Sequence, residues 1–338
     1  MVTIKDIARE VGVSPSTVSR ALSDSPLISE KTKQNVKEVA QRLDYERNEL
    51  ARGLVKGSSG AVGLVVADIT NPFFSDIAQG VGEVAHRFGY GVMLCDTAGK
   101  ANRESDYIRL LRRKRVDGLI LTSATMDDPY LKDLAKTRTP FILVSRLCRS
   151  VDAPYVVVDD RMGARLAVEH LINLGHQYIG FIGGPANVQS SRDRMVTYRE
   201  VLQEHGLAEK EEWMGFSDFT QAAGRKAGRQ MLSLPERPSA IFAANDMIAL
   251  GVLEVAEEMG FLIPDDLSLV GYNDISYASL PRVQLTTVAQ PTQEMGQIAS
   301  EWLLSTIEEH KRHPLHCVLN PHLVVRRSTA PPTSCPLA

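Results

Sequence analysis

Hydrophobic and polar positions follow two rhythms along this chain, and the rhythm changes near residue 60. In the first stretch Ile4, Ile7, Ala8 and Val11 recur at helical spacing. Thr3 and Asp6 form a capping-box pattern ahead of them, and Gly12 ends the helix. Ser14 then supplies an N-cap and Pro15 a first helical position for a second helix, from which Val18 and Leu22 point inward. A third helix begins near Ser29, with Val36, Val39, Ala40 and Leu43 on one face. A polar stretch, 46–56, and the run GSSG at 57–60 have the composition of a flexible domain boundary.

From Ala61 onward, short apolar runs alternate with amphipathic segments. The runs lie at 61–67, 90–95, 118–122, 141–145, 155–158, 178–182, 240–244 and 267–272. Runs without polar alternation suit parallel strands buried on both faces. Strand alternating with helix predicts an α/β architecture with parallel, doubly wound sheets. About 270 residues exceed one comfortable core, which predicts two lobes. The final residues, 331–338, read as a disordered tail.

Composition adds little to this picture. The net charge of -3 does not favour nucleic acid, although residues 1–58 carry +2 and the remainder -5. A nucleic-acid claim must therefore rest on a motif. The four cysteines, Cys95, Cys148, Cys317 and Cys335, form no CxxC, so no zinc site and no other cofactor is expected. Free thiols, an N-terminus without a signal-peptide core and no run of eighteen apolar residues lead to the expectation of a cytoplasmic protein without membrane contact.

The run VTIKDIAREVGVSPSTVSRAL carries the chemistry of the N-terminal region. It reads as helix, tight glycine turn and short helix, the form of a major-groove reader. Ser16, Thr17 and Arg20 are expected to face outward, Arg20 able to meet guanine and the hydroxyls several base edges. Ser19 and Tyr45 are better suited to phosphate. The bland alternative is a helical hairpin with a solvated Ser/Thr face. Enzymatic function is not expected: there is no GxSxG, Walker lysine loop or HExxH, and GFIGGP at 180–185 lacks dinucleotide spacing.

The sequence resembles the lac repressor (LacI/GalR) family of bacterial transcription regulators over roughly residues 2–328. The resemblance is carried by TIKDIAREVGVSPSTVSRAL, GLVVADITNPFFSDIAQGV, HLINLGHQYIGFIGGP, AIFAANDMIALGV, IPDDLSLVGYND and LTTVAQP. It implies a helix-turn-helix headpiece (1–47), a hinge helix and linker (48–60) and a periplasmic-binding-protein-like type I core (61–330). Lobe one would hold about 61–160 plus 291–321, and lobe two about 161–290 plus 322–330. It also implies a homodimer on near-palindromic double-stranded operator DNA, acting most often as a repressor under a small-molecule effector, usually carbohydrate-like. Control by a corepressor or partner protein, and a solute-binding protein, are the alternatives. Asn48, Ala51 and Leu54 match hinge positions, with Leu54 a minor-groove wedge; the plain alternative is a linker. Arg47 stands where relatives often have Pro.

The same resemblance assigns an effector cleft. Phe73 and Phe74 would line it or plug the core, and Phe219 matches a further cleft aromatic. Arg194 matches the arginine that grips effector; otherwise it is a surface helix residue. Asn245, Asn273 and Gln290 stand at cleft positions, Asn273 where sugar-binding members carry Asp. Arg146 follows the fourth strand. Arg146 and Arg194, with the carboxylate missing at 273, lead to the expectation of a positive cleft and an effector bearing a carboxylate or phosphate.

Overall fold

A computed structural model describes residues 2–45, 58–310 and 314–333, which form two compact units, Met1–Ser59 and Gly60–Ala338. In the first, α1 (Ile4–Val11), α2 (Pro15–Leu22) and α3 (Glu30–Arg42) enclose a small core of Ile7, Ala8, Val18, Ala21, Val36, Val39 and Ala40. The expected caps hold. Thr3 N donates to Asp6 Oδ2 at 3.0 Å, Gly12 closes α1 at φ 75°, and Ser14 Oγ accepts from Thr17 N at 3.1 Å. Lys33, though buried, keeps its charge paired with Glu30 at 2.7 Å and Asp24 at 3.4 Å, which ties the loop after α2 to α3. Asn48, Ala51 and Leu54 lie outside the described residues.

The second unit contains two parallel-rich sheets. The first has the order β11-β5-β4-β3-β1-β2. It comprises β1 (Ala61–Val66), β2 (Gly91–Asp96), β3 (Gly118–Leu121), β4 (Phe141–Val144), β5 (Tyr155–Val158) and β11 (His316–Leu319). The second has the order β12-β10-β9-β8-β6-β7. It comprises β6 (Ile179–Gly183), β7 (Met214–Phe216), β8 (Ala240–Ala243), β9 (Ser268–Asn273), β10 (Thr286–Ala289) and β12 (His322–Val324). Among the described residues all pairings are parallel except β10 with β12. Four strands, β7, β10, β11 and β12, were not among the predicted runs. None is a continuous run of buried apolar residues: β7, β11 and β12 are partly exposed, and β10 opens with two threonines.

Helices cover the sheets: α4 (Pro72–Arg87), α5 (Ala101–Arg113), α6 (Pro129–Ala135) and α11 (Thr292–Glu309) on the first, α7 (Asp160–Asn173), α8 (Gln189–Glu204), α9 (Gln221–Leu232) and α10 (Asp246–Glu258) on the second. Helices α4 and α11 cross at backbone contact. A Cβ at Gly80 would stand 2.1 Å from the Gln293 carbonyl oxygen, so only glycine admits that approach. The chain passes between sheets after β5, after β10 and between β11 and β12. The two lobes also share apolar contacts, since Ile275, Met247 and Leu250 of the second pack into the cluster of the first.

The expected tail needs correction at its start. Ala330 N donates to Ser268 Oγ at 3.0 Å, and Thr333 Oγ1 donates to the Asp265 carbonyl at 2.9 Å. Residues 331–333 therefore lie against the second lobe, held by the polar groups that flank β9.

Candidate functional sites

On the headpiece, α2 buries Val18 and Ala21 and exposes Ser16 and Arg20. Most headpiece cations are occupied: Arg9 pairs with Asp6 at 3.7 Å and Arg42 with Glu10 at 2.5 Å. Arg20 has no ion pair among the described residues and projects from the exposed face. Two expectations change. Thr17 is half-buried, and its hydroxyl lies 2.8 Å from Ser14 Oγ within the cap. Tyr45 is partly buried against the headpiece core, because its backbone folds back onto α3 (N to Ala40 O, 2.9 Å), so packing occupies much of its ring. Ser19 is half-buried on the same helix.

In the second unit, the carboxyl ends of both sheets converge on one cavity. Sequence order reverses between β1 and β3 in the first sheet and between β6 and β8 in the second. Such switch points are where open α/β sheets leave a crevice. Each crevice is edged by short polar residues that cap the next helix. Asn71 Oδ1 accepts from Phe73 N at 3.1 Å at the start of α4, and Asn245 Oδ1 accepts from Ile248 N at 2.8 Å at the start of α10.

The cavity is lined by Asn71, Phe73, Phe74, Ser145 and Arg146 from the first lobe and by Ser190, Arg194, Phe219, Asn245 and Asn273 from the second. It measures about 30 Å³, room for a water or two. Phe73 and Phe74 meet edge to face at 5.0 Å and do both jobs considered for them, plugging the first core and walling the cavity. Ser145, Phe219 and Asn273 have φ of 68°, 69° and 120°, left-handed backbone that non-glycine residues adopt at a cost. Asn245 Nδ2 holds the Phe219 carbonyl at 3.1 Å and so fixes that turn.

Arg194 is only 4 % exposed and is held by several partners. Its Nε and Nη2 lie 2.9 and 2.7 Å from Asp160 Oδ1, Nη1 donates to the Ala244 carbonyl at 2.5 Å, and its guanidinium carbon stands 3.6 Å from the centre of the Tyr272 ring. Burial raises the Asp160 carboxyl, and the guanidinium offsets part of that rise. The expectation that Arg194 adds uncompensated charge is thus corrected: Asp160 neutralises it. Arg146 differs. It is half-buried, lies 6.0 Å from the Phe74 ring centre and 5.8 Å from that of Phe219, and among the described residues has one hydrogen bond, to the Ser123 carbonyl at 3.5 Å. Burial lowers it to about 10, with Glu104 opposing the fall, so it stays cationic at neutral pH.

Gln290 is corrected as well. It does not line the cavity; its Nε2 donates to Asn273 Oδ1 at 2.7 Å and holds that strained residue from behind. Asn71, Ser145 and Ser190 were not anticipated. Asn71 alone left a signal, an N-cap residue before Pro72 beside the two phenylalanines. Among the described residues no group of side chains is arranged to hold a metal, and Cys95, Cys148 and Cys317 are free thiols. No described helix is long and apolar enough to cross a membrane.

Residues 3–48 match the lacI family of bacterial regulatory proteins, and residues 168–329 match a periplasmic binding protein-like domain. The chain is 35 % identical over 329 residues to the ribose operon repressor of Halalkalibacterium halodurans, covering 97 % of each. It is 32 % identical to the PurR repressor of Photobacterium profundum, over 97 % of this chain and 98 % of that one. The chain belongs to the lacI family of bacterial regulatory proteins. Family relatives share the whole architecture. A lac repressor dimer bound to operator and the anti-inducer ONPF superposes with a TM-score of 0.87 at 27 % identity, over 97 % of this chain and 99 % of that one. A complex of the regulator CelR with cellobiose gives 0.72 at 31 %, over 97 % and 100 %. These relatives are repressors and regulators, and membership places the chain among regulators rather than enzymes.

Proposed function

We propose that this protein is a sequence-specific transcriptional repressor whose operator affinity is set by a carbohydrate-like effector bound between the two lobes. The observation that carries the reading is the α2 face: a capped helix that buries Val18 and Ala21 and presents Ser16 and Arg20 with the Arg20 guanidinium unpaired among the described residues. A groove-reading helix requires such a face. A homodimer would place two such helices on successive half-sites of a near-palindromic duplex. Met93 and Leu94 stay exposed on the edge strand β2, an apolar surface that a second copy can cover. The segment with Asn48, Ala51 and Leu54 is the hinge in this reading, and the cytoplasm is its compartment.

Effector control follows from volume. Small-molecule sites occupy roughly 300–1,000 Å³, ten times the present cavity or more. A sugar enters only if the lobes part, so occupancy and lobe geometry are one variable. Effector and operator must then alter each other's affinity by the same factor. Release of DNA on effector binding is the direction proposed. Relatives named for ribose control and solved with cellobiose support the carbohydrate class.

The experiment is operator selection from a random duplex pool with the full chain, followed by titration of the selected and scrambled duplexes. Arg20→Ala is expected to weaken the selected duplex by about 1–3 kcal/mol and to relax its specificity. Equal loss on both duplexes would make Arg20 a phosphate contact. No preference in the wild type for any duplex would end the regulator reading.

A further inference from the structure

The cavity wall carries two guanidinium groups, three side-chain amides, two hydroxyls and three phenyl rings, and no carboxylate. Arg194 is neutralised from behind by Asp160, and its donors go to Asp160 and the Ala244 carbonyl. Arg146 is not neutralised in this way. It forms no ion pair among the described residues, and its single bond to the Ser123 carbonyl is at the 3.5 Å limit. Phe74 and Phe219 approach its guanidinium from opposite lobes, so rings stand where acceptors would be needed. A guanidinium offers five N–H donors, and in a cavity with little room for water most of them need a partner.

The carboxyl groups behind Arg146 do not replace that partner. Glu104 is 2 % exposed and its Oε1 has no hydrogen-bond partner among the described residues. Burial first, and Asp128 second, raise it to about 7, so near neutral pH it carries only part of a negative charge. Asp128 is itself occupied in capping α6 through Tyr130 N at 2.9 Å and Leu131 N at 3.3 Å.

A second feature of the same wall has the same sign. Helix α8, sixteen residues long, has Val188 at its N-cap, which offers no side-chain acceptor, and Ser190 of its first turn lines the cavity. The first turn of a helix carries free N–H groups and the positive end of the helix dipole. The capped starts of α4 and α10, by contrast, have Asn71 and Asn245.

We propose that the effector bears an anionic group, a carboxylate or a phosphate, and that Arg146 receives it as the specificity-determining residue of the cleft. The planar fork matches either group with two parallel N–H bonds. The inference deepens the proposed function and rests on its assignment of the cleft as the effector site. Phe74 and Phe219 flank the guanidinium, and Ser190 of the first turn of α8 lines the same cavity from the second lobe.

Isothermal titration of the full chain against three matched families tests this: galactose and galacturonate, glucose and gluconate, ribose and ribose 5-phosphate. At least one anionic member is expected to bind tenfold or more tightly than its neutral parent. The acid and phosphate arms separate the two sources of charge. Arg146→Gln is expected to reduce that ratio to threefold or less, and Arg146→Lys, which keeps the charge and loses the fork, to an intermediate value. The lysine variant carries the test if the glutamine variant does not fold. Neutral sugars binding as tightly as anions, an anion preference that survives in both variants, or no binding by any probe overturns the inference. Phe219→Ala separates this failure from failure of the cleft itself. Anion-indifferent binding that Phe219→Ala weakens leaves the cleft reading standing, and binding that Phe219→Ala does not touch removes both.

Discussion

Two arginines face the same small cavity from opposite lobes, and their surroundings could hardly differ more. Arg194 is locked to Asp160, to a backbone carbonyl and to the face of Tyr272. Arg146 stands between two phenyl rings with one long hydrogen bond. The first is part of the framework of lobe two, linking the start of α7 to the end of β8. The second leaves its donors for something that is not protein. A buried charge with its partners in place reports architecture, and a cation with its partners missing reports a ligand. Along the sequence the two looked equivalent, since both were expected to add positive charge to the cleft.

The largest effect that can test this contrast is expected from Arg194→Met. It leaves the Asp160 carboxylate buried without its cation, which costs about 3–5 kcal/mol. Urea unfolding of the core should show the loss at pH 8 and a smaller one at pH 5, where protonation relieves the stranded charge. A loss below 1 kcal/mol at pH 8 would mean Arg194 is not structural.

Next comes Glu104. Its folded-state proton affinity lies above the unfolded value near 4.5, at about 7. The folded state therefore holds the proton more tightly, and the stabilisation is fully present below pH 4.5. It is lost as pH rises to about 7. At 1.36 kcal/mol per pH unit the loss is roughly 3 kcal/mol at most. Glu104→Gln should flatten that slope in urea titrations between pH 5 and 8 and make the protein more stable than wild type at pH 8. An unchanged slope would locate the proton elsewhere.

The smallest effect is expected from Arg146→Met, a change of stability within about 1 kcal/mol or a slight gain. Methionine packs well between phenyl rings, and an incompletely paired cation is removed from them. A cost equal to that of Arg194→Met in the same urea experiment would erase the difference between the two walls.

Much of the fold was legible along the chain because it is written in local terms. Eight strands announced themselves as apolar runs, and the first two headpiece helices through caps at Thr3 and Ser14 that the structure retains. The strands β7, β10, β11 and β12 were not legible. Three of them, β7, β11 and β12, are short edge segments whose strand character depends on the neighbour they join, and β12 even runs antiparallel to β10. The cleft was half legible. Phe73, Phe74, Arg146, Arg194, Phe219, Asn245 and Asn273 do converge on the cavity. Gln290 was misjudged because nothing in its neighbourhood along the chain says that its amide faces Asn273 rather than the opening. Ser145 and Ser190 look like ordinary turn and helix-start residues until two sheets bring them together.

The sequence by itself determined the small helical headpiece, the α/β core and the outward face of α2, since caps, turns and periods act over a few residues. Only the tertiary structure decided which charges are neutral. Asp160 lies 34 residues from the Arg194 it neutralises, and pairing energy depends on distance and burial in space, not on separation along the chain.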